Sequence, residues 1–219
     1  MRAIRNIVNV LAVFVGTFII WQLLWRIFRK AYFFPAPIVV GKVMDNDFRR
    51  WFQPADRVIA RSGIAPGLTV LELGCGSGAY TDALARALQP SGTLHAVDVH
   101  KGMLKQLMKK LAAPTCADIG NVQVRIADAR GLPFDDAAFD CVVGISSFSE
   151  IADKKAALAE MFRVLKPGGT LSLSEFLFDP DYPFKGRIKK LARAAGFTLD
   201  SVKGRFWNYT MTFRRGGDS

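Results

Sequence analysis

A chain of 219 residues, half of them hydrophobic and 22% charged, has the material for one sizeable core and is too apolar to stay disordered. Thirty Lys and Arg against nineteen Asp and Glu leave a net charge of +11, held at the two ends: residues 1–66 and 185–219 carry +7 each around a slightly acidic middle. Three cysteines without a C-x-x-C pair and only two histidines exclude a disulfide scaffold and argue against a metal site, so no metal is expected.

From Asn6 to Trp25 the chain runs twenty residues without a charge, enough helix to reach across the ~30 Å hydrocarbon core of a bilayer. Trp21, Trp25 and Tyr32 with Arg26, Arg29 and Lys30 form the aromatic and basic collar of a headgroup boundary, and no small-residue cleavage site marks a signal peptide. The expectation is a single-pass membrane protein, with the lipid bilayer as a partner and the C-terminal domain in the cytoplasm, because more basic residues follow the span than precede it. The organisation read from this is an anchor over 1–30, a connector and amphipathic helix over 31–62, and a folded domain over 63–219. Pro35 and Pro37 end the span, and Pro54 interrupts the amphipathic pattern of 45–62.

Beyond residue 62, β-rich runs at Thr69–Leu73, Thr93–Val99, Val122–Ala127, Asp140–Ile145 and Thr170–Phe176 alternate with helical stretches near 79–89, 101–112, 152–165 and 185–195. This alternation predicts a parallel sheet covered on both faces. Phe197–Lys203 and Phe206–Arg214, separated by Gly204 and Arg205, read as an antiparallel hairpin that completes seven strands. The fold class is therefore α/β, a doubly wound Rossmann-like sheet, mostly parallel, with an antiparallel C-terminal hairpin and one N-terminal transmembrane helix.

The first strand runs into Gly74-Cys75-Gly76-Ser77-Gly78. Such glycines take positive φ and admit a ligand where a Cβ would obstruct it, and the next helix adds N–H groups, so a small polar ligand belongs there. Strand two ends on Val97-Asp98, where a carboxylate can accept the two hydroxyls of a ribose, although Asp98 could instead cap the helix near Lys101. Strand three ends on Ala127-Asp128-Ala129, a place from which a carboxylate can accept an exocyclic amine.

Taken together, Glu72-Leu-Gly-Cys-Gly-Ser-Gly78, Asp98, Asp128-Ala-Arg-Gly-Leu-Pro-Phe-Asp135, Phe139-Asp140 and Arg163-Val-Leu-Lys-Pro-Gly-Gly169 resemble class I S-adenosylmethionine-dependent methyltransferases. The likeness is to the ubiquinone/menaquinone-biosynthesis (methyltransferase type 11) group and covers residues 45–215. It implies S-adenosyl-L-methionine as cofactor. The backbone from Gly74 through Cys75, Gly76 and Ser77 to Gly78 would cradle its amino-acid end, with Glu72 supporting the loop. Asp98 and Val99 would hold the ribose side, Asp128 and Ala129 the adenine, and Ser146, beside Ser147, would flank the sulfonium.

No catalytic residue is assigned. Glu150, Glu175 and Tyr182 are the candidate bases near the methyl position, each with a structural alternative as a cap, an ion-pair partner or turn packing. A domain tethered to the bilayer favours a small lipophilic acceptor such as a lipid, quinone or isoprenoid. Less favoured are a nucleic-acid or soluble small-molecule methyltransferase, a nicotinamide-dependent oxidoreductase reading of Gly74-x-Gly76-x-x-Ala79, and a non-enzymatic membrane-bound interaction module.

Overall fold

The protein is seen here as a computed structural model that describes residues 51–177, 179 and 182–216, together with 2, 5, 6, 9, 10, 12–17, 20, 21 and 24. The chain divides into two compact units, Met1–Pro35 and Ala36–Ser219.

In the first unit the described residues are helical, and Thr17 donates from its hydroxyl to the Val13 carbonyl one turn back at 2.8 Å. Among the described residues no helix is long and apolar enough to cross a membrane. This corrects the expectation of a single-pass transmembrane helix, and with it the placement of the protein in a membrane with a cytoplasmic C-terminal domain. The collar of Arg26, Arg29, Lys30 and Tyr32, the prolines at 35 and 37, and residues 45–50 of the amphipathic stretch lie outside the described residues.

The second unit, with elements numbered from residue 55, runs α1 (Ala55–Ser62), β1 (Thr69–Leu73), α2 (Thr81–Leu88), β2 (Thr93–Asp98), α3 (Lys101–Leu111), β3 (Val122–Ile126), β4 (Phe139–Ile145), α4 (Lys154–Val164), β5 (Leu165–Phe176), α5 (Lys185–Ala194), β6 (Phe197–Gly204) and β7 (Asn208–Arg215). Pro54 stands as the N-cap of α1, so the predicted break falls where a ring without an N–H begins a helix at no cost.

One seven-stranded sheet has the order β3-β2-β1-β4-β5-β7-β6, with β3 to β5 parallel and β7 antiparallel to both β5 and β6. Side chains alternate across it. Val70 and Val143 face α1 and α2 with Leu84 and Leu88, whereas Leu71, Leu73 and Val142 face α4 and α5 with Leu158, Met161 and Ile188. This two-sided burial is why β1 and β4 read as continuous apolar runs. β5 begins earlier than the sequence indicates. Leu165 pairs with Phe139, the pairing is interrupted, and regular register resumes at Thr170 opposite Cys141, so Lys166-Pro-Gly-Gly169 is a bulge inside the ladder.

The order reverses between β1 and β4, and in open α/β sheets ligands bind beyond the carboxyl ends of the strands at such a reversal.

Candidate functional site

The tips of β1, β2 and β4 meet at the glycine loop. Gly74 has φ 66°, and a Cβ built on it would lie 2.5 Å from the Cβ of Ser147, so this position admits no other residue without displacing the loop after β4. Ser147 donates its hydroxyl to the Leu73 carbonyl at 2.7 Å and fastens that loop to the end of β1. Gly76 differs: its φ is 56°, and a Cβ there would meet nothing within 4 Å. Its backbone is left-handed beside open space, which is a cradle for something outside the chain.

Most of the loop's amides are already used. Gly74 and Cys75 donate to the Val97 carbonyl at 2.9 and 3.1 Å, Gly78 donates to Cys75, and Gly76 donates to Asp98 Oδ2 at 2.9 Å. The loop therefore contributes shape and approach more than spare donors.

Asp98 is the hinge of the arrangement. Its Oδ2 takes the Gly76 N–H and its Oδ1 the His100 N–H at 2.8 Å. The N-cap of α3 is His100, with no side-chain cap bond, so Asp98 is not the helix cap weighed as its alternative. Each oxygen keeps accepting capacity after one backbone bond. Val99 beside it is 53% exposed, and Ile126, the register partner of Asp98 on β3, is exposed as well.

Glu72 lies beneath the loop, buried, accepting the Thr81 hydroxyl at 2.7 Å. Burial pushes its carboxyl up to about 8, against the opposing pull of the Thr81 bond and of Lys110. Lys110 was not foreseen. Its ammonium reaches from α3 to the Gly78 carbonyl and to Asp82 Oδ1 at 3.0 Å, clamping the loop from 32 residues away, and no local pattern announces such a contact. Cys75 is buried, with its thiol pushed up by burial, which makes it a packing residue and not a nucleophile.

Asp128 is less ready than its position implies. Arg130 forks both its oxygens at 2.6–3.0 Å and holds the carboxyl below the usual range, on an exposed surface. Ala129 packs against the core beside it. The following turn is pinned by Arg163, which donates to the Leu132 and Phe134 carbonyls at 2.9 and 2.8 Å while Glu160 receives the Leu132 N–H. The Arg163 motif is thus structural.

On the β4 side, Ser146 has φ 54° and is buried. Glu150 does not cap the next helix: Asp153 does, accepting from Lys155 and Ala156. Glu175 is fully buried opposite Tyr209, and Tyr182 is buried with its hydroxyl on the Phe206 carbonyl, so its phenol is pushed up to about 12 by burial and then by Glu175. Among the described residues no group of His, Cys, Asp and Glu could hold a metal ion.

Residues 70–169 match the family described as a methyltransferase domain. Over that stretch the chain is similar to methyltransferase domains. Over 122 residues, 54% of the chain, it is 40% identical to the ubiquinone/menaquinone biosynthesis C-methyltransferase UbiE of Pasteurella multocida, covering 45% of that protein. The Teredinibacter turnerae protein of the same name is 42% identical over 118 residues, covering 47% of its length. The matched region thus spans about half of these relatives. A solved S-adenosylmethionine-dependent methyltransferase from Aquifex aeolicus shares the methyltransferase fold at TM-score 0.76 and 20% identity, over 83% of this chain and all of that one. The [4+2]-cyclase SpnF shares it at 0.64 and 19%, over 74% and 80%. The methyltransferase fold is thus held in common by proteins named for different reactions, and the reaction must be argued from the site.

Proposed function

We propose that the protein transfers a methyl group from S-adenosylmethionine to a carbon of a small lipophilic acceptor of the quinone class. The observation that carries the cofactor half is the open, left-handed Gly76 tied directly to Asp98, a cradle that a Cβ would fill and a carboxylate with accepting capacity at its rim. The acceptor half rests on the likeness to proteins named for C-methylation in ubiquinone and menaquinone biosynthesis. With no membrane-spanning helix among the described residues, tethering to a bilayer lends this acceptor class no support.

In this reading Gly74, Cys75, Gly76, Ser77 and Gly78 shape the wall along the amino-acid end, with Glu72 and Lys110 fixing that wall from beneath. Asp98 accepts the ribose hydroxyls, Val99 covers one face of the base, and Asp128 with Ala129 borders its amine edge once the Arg130 fork shifts. Ser146 flanks the methyl-bearing end. When bound, S-adenosylmethionine supplies a methyl group already activated on a sulfonium, the sulfur keeping the bonding pair and leaving as a neutral thioether while the acceptor carbon forms the new bond and gives up its proton to water. The chain's own contribution is alignment, worth far more here than proton transfer.

Incubation of the purified chain with methyl-tritiated S-adenosylmethionine and a reduced quinone lacking a ring methyl group tests the proposal. Label extractable into the organic phase is expected; label entering only nucleic acid or protein added to the same mixture would overturn the acceptor class.

A further inference from the structure

The residue after β4 breaks a rule that the glycine loop keeps. Gly74, Gly76 and Gly78 all have positive φ, the conformation glycine takes without steric cost. Ser146, with φ 54°, occupies the same region with a side chain attached, and strain of this kind persists where a function or the surroundings demand it. If only the backbone mattered at position 146, glycine would serve better. What the serine adds is a hydroxyl.

That hydroxyl is idle. Ser146 is 7% exposed, and its Oγ has no hydrogen-bond partner, although its own N–H is anchored on the Ser174 carbonyl at the tip of β5 at 2.7 Å. Ser149, three residues on in the short turn Phe148–Glu150, is 9% exposed and its Oγ is likewise unpartnered. Burying a hydroxyl without a partner is costly.

Looseness of the loop does not account for the idle groups. Ser147, between them, is bonded to Leu73 and packed under Gly74, while Lys154 holds the Ser149 and Ile151 carbonyls at 2.9 and 2.6 Å. The segment is fastened to β1, β5 and α4, and two hydroxyls are left over. It lies between the glycine cradle and the tip of β5, where an acceptor must come to meet the methyl group.

We infer that Ser146 and Ser149 form the acceptor's oxygen-binding subsite: their hydroxyls hydrogen-bond a ring hydroxyl or carbonyl oxygen and so fix the neighbouring carbon in line for methylation. The inference rests on the quinone-class reading and adds no covalent step to it. Acceptors that lack an oxygen beside the reacting carbon are poor substrates on this account.

The test uses the full chain, labelled S-adenosylmethionine, and 1,4-naphthohydroquinone kept reduced as the acceptor probe. Ser146→Gly removes the hydroxyl and relieves the strain, Ser146→Ala removes the hydroxyl alone, and Ser149→Ala removes the second hydroxyl away from any strain. Each is expected to lower kcat/KM for the probe about tenfold, the effect of one lost hydrogen bond to a bound oxygen, while cofactor affinity measured by calorimetry changes less than about twofold. Ser146→Gly should melt above the wild type, so that lost turnover cannot be lost fold. Wild-type kcat/KM in Ser146→Gly and Ser149→Ala would overturn the subsite and leave the function standing. A fall in cofactor affinity equal to the fall in turnover would assign Ser146 to the cofactor and overturn it as well. No label in the probe with wild-type enzyme would remove the quinone-class reading and this subsite together.

Discussion

The two sides of the crevice are built differently. On the β1–β2 side the polar groups are spoken for: four of the loop's amides, Glu72 and Asp98 all have partners inside the chain. On the β4 side a strained serine and its neighbour hold hydroxyls that bond to nothing. The first side has its shape fixed within the chain, with Asp98 alone keeping accepting capacity, and in the proposed reading the second side is completed by something that brings an oxygen. Pre-ordering lowers the entropy that a ligand must give up, so the contrast fits the proposed division between rigid recognition on one side and choice of acceptor on the other.

Gly76→Ala should give the largest effect. The new methyl group points into open space, so the fold survives at a cost of about 1–2 kcal/mol from the left-handed backbone, whereas cofactor affinity falls on the order of a hundredfold because the methyl fills the cradle. Circular dichroism and calorimetry on the same sample separate the two, and an unfolded Gly76→Ala would erase the distinction between cradle and scaffold. Gly74→Ala should reverse the balance. Its Cβ would stand 2.5 Å from Ser147, and chemical denaturation should report a loss of about 2–4 kcal/mol.

Glu72→Gln probes the saturated floor by pH. The folded chain keeps the Glu72 proton up to about 8, while the unfolded chain releases it near the ordinary value of 4.5. The group's contribution to stability is therefore complete below pH 4.5 and is lost as pH rises through about 8. The melting temperature of the wild type should drop relative to Glu72→Gln between pH 6 and 9, and parallel curves would show that the floor is not a protonated carboxyl.

Arg130→Ala should have the smallest effect. The fork on Asp128 is exposed, so its removal tightens cofactor binding by less than about threefold, and a weakening would mean that Arg130 itself contacts the cofactor.

Much of this was legible in the sequence because it is local. Val70–Leu73 followed by glycines at 74, 76 and 78 announces a strand, a turn and a ligand, and the apolar runs of β1, β2 and β4 are readable to within a residue. What escaped is joined across distance: Lys110 to Gly78, Ser147 to Leu73, Arg163 to the turn at 132–134. No spacing rule reports such pairs, since only the folded sheet brings them together. Arg130, two residues from Asp128, was near enough to suspect, but its fork forms in a turn where an isolated bridge between Asp128 and Gly131 curls the chain back. The uncharged stretch from Asn6 to Trp25 met a hydropathy rule, and the described residues supply no helix to fulfil it.

Calorimetric titration of S-adenosylmethionine into the wild type and Asp98→Ala tests the central claim most directly. Saturable binding by the wild type and at least about thirtyfold weaker binding by the variant are predicted, since Asp98 ties Gly76 in place and, in the proposed reading, also accepts from the ligand. Indistinguishable isotherms, or no binding by the wild type, would contradict it.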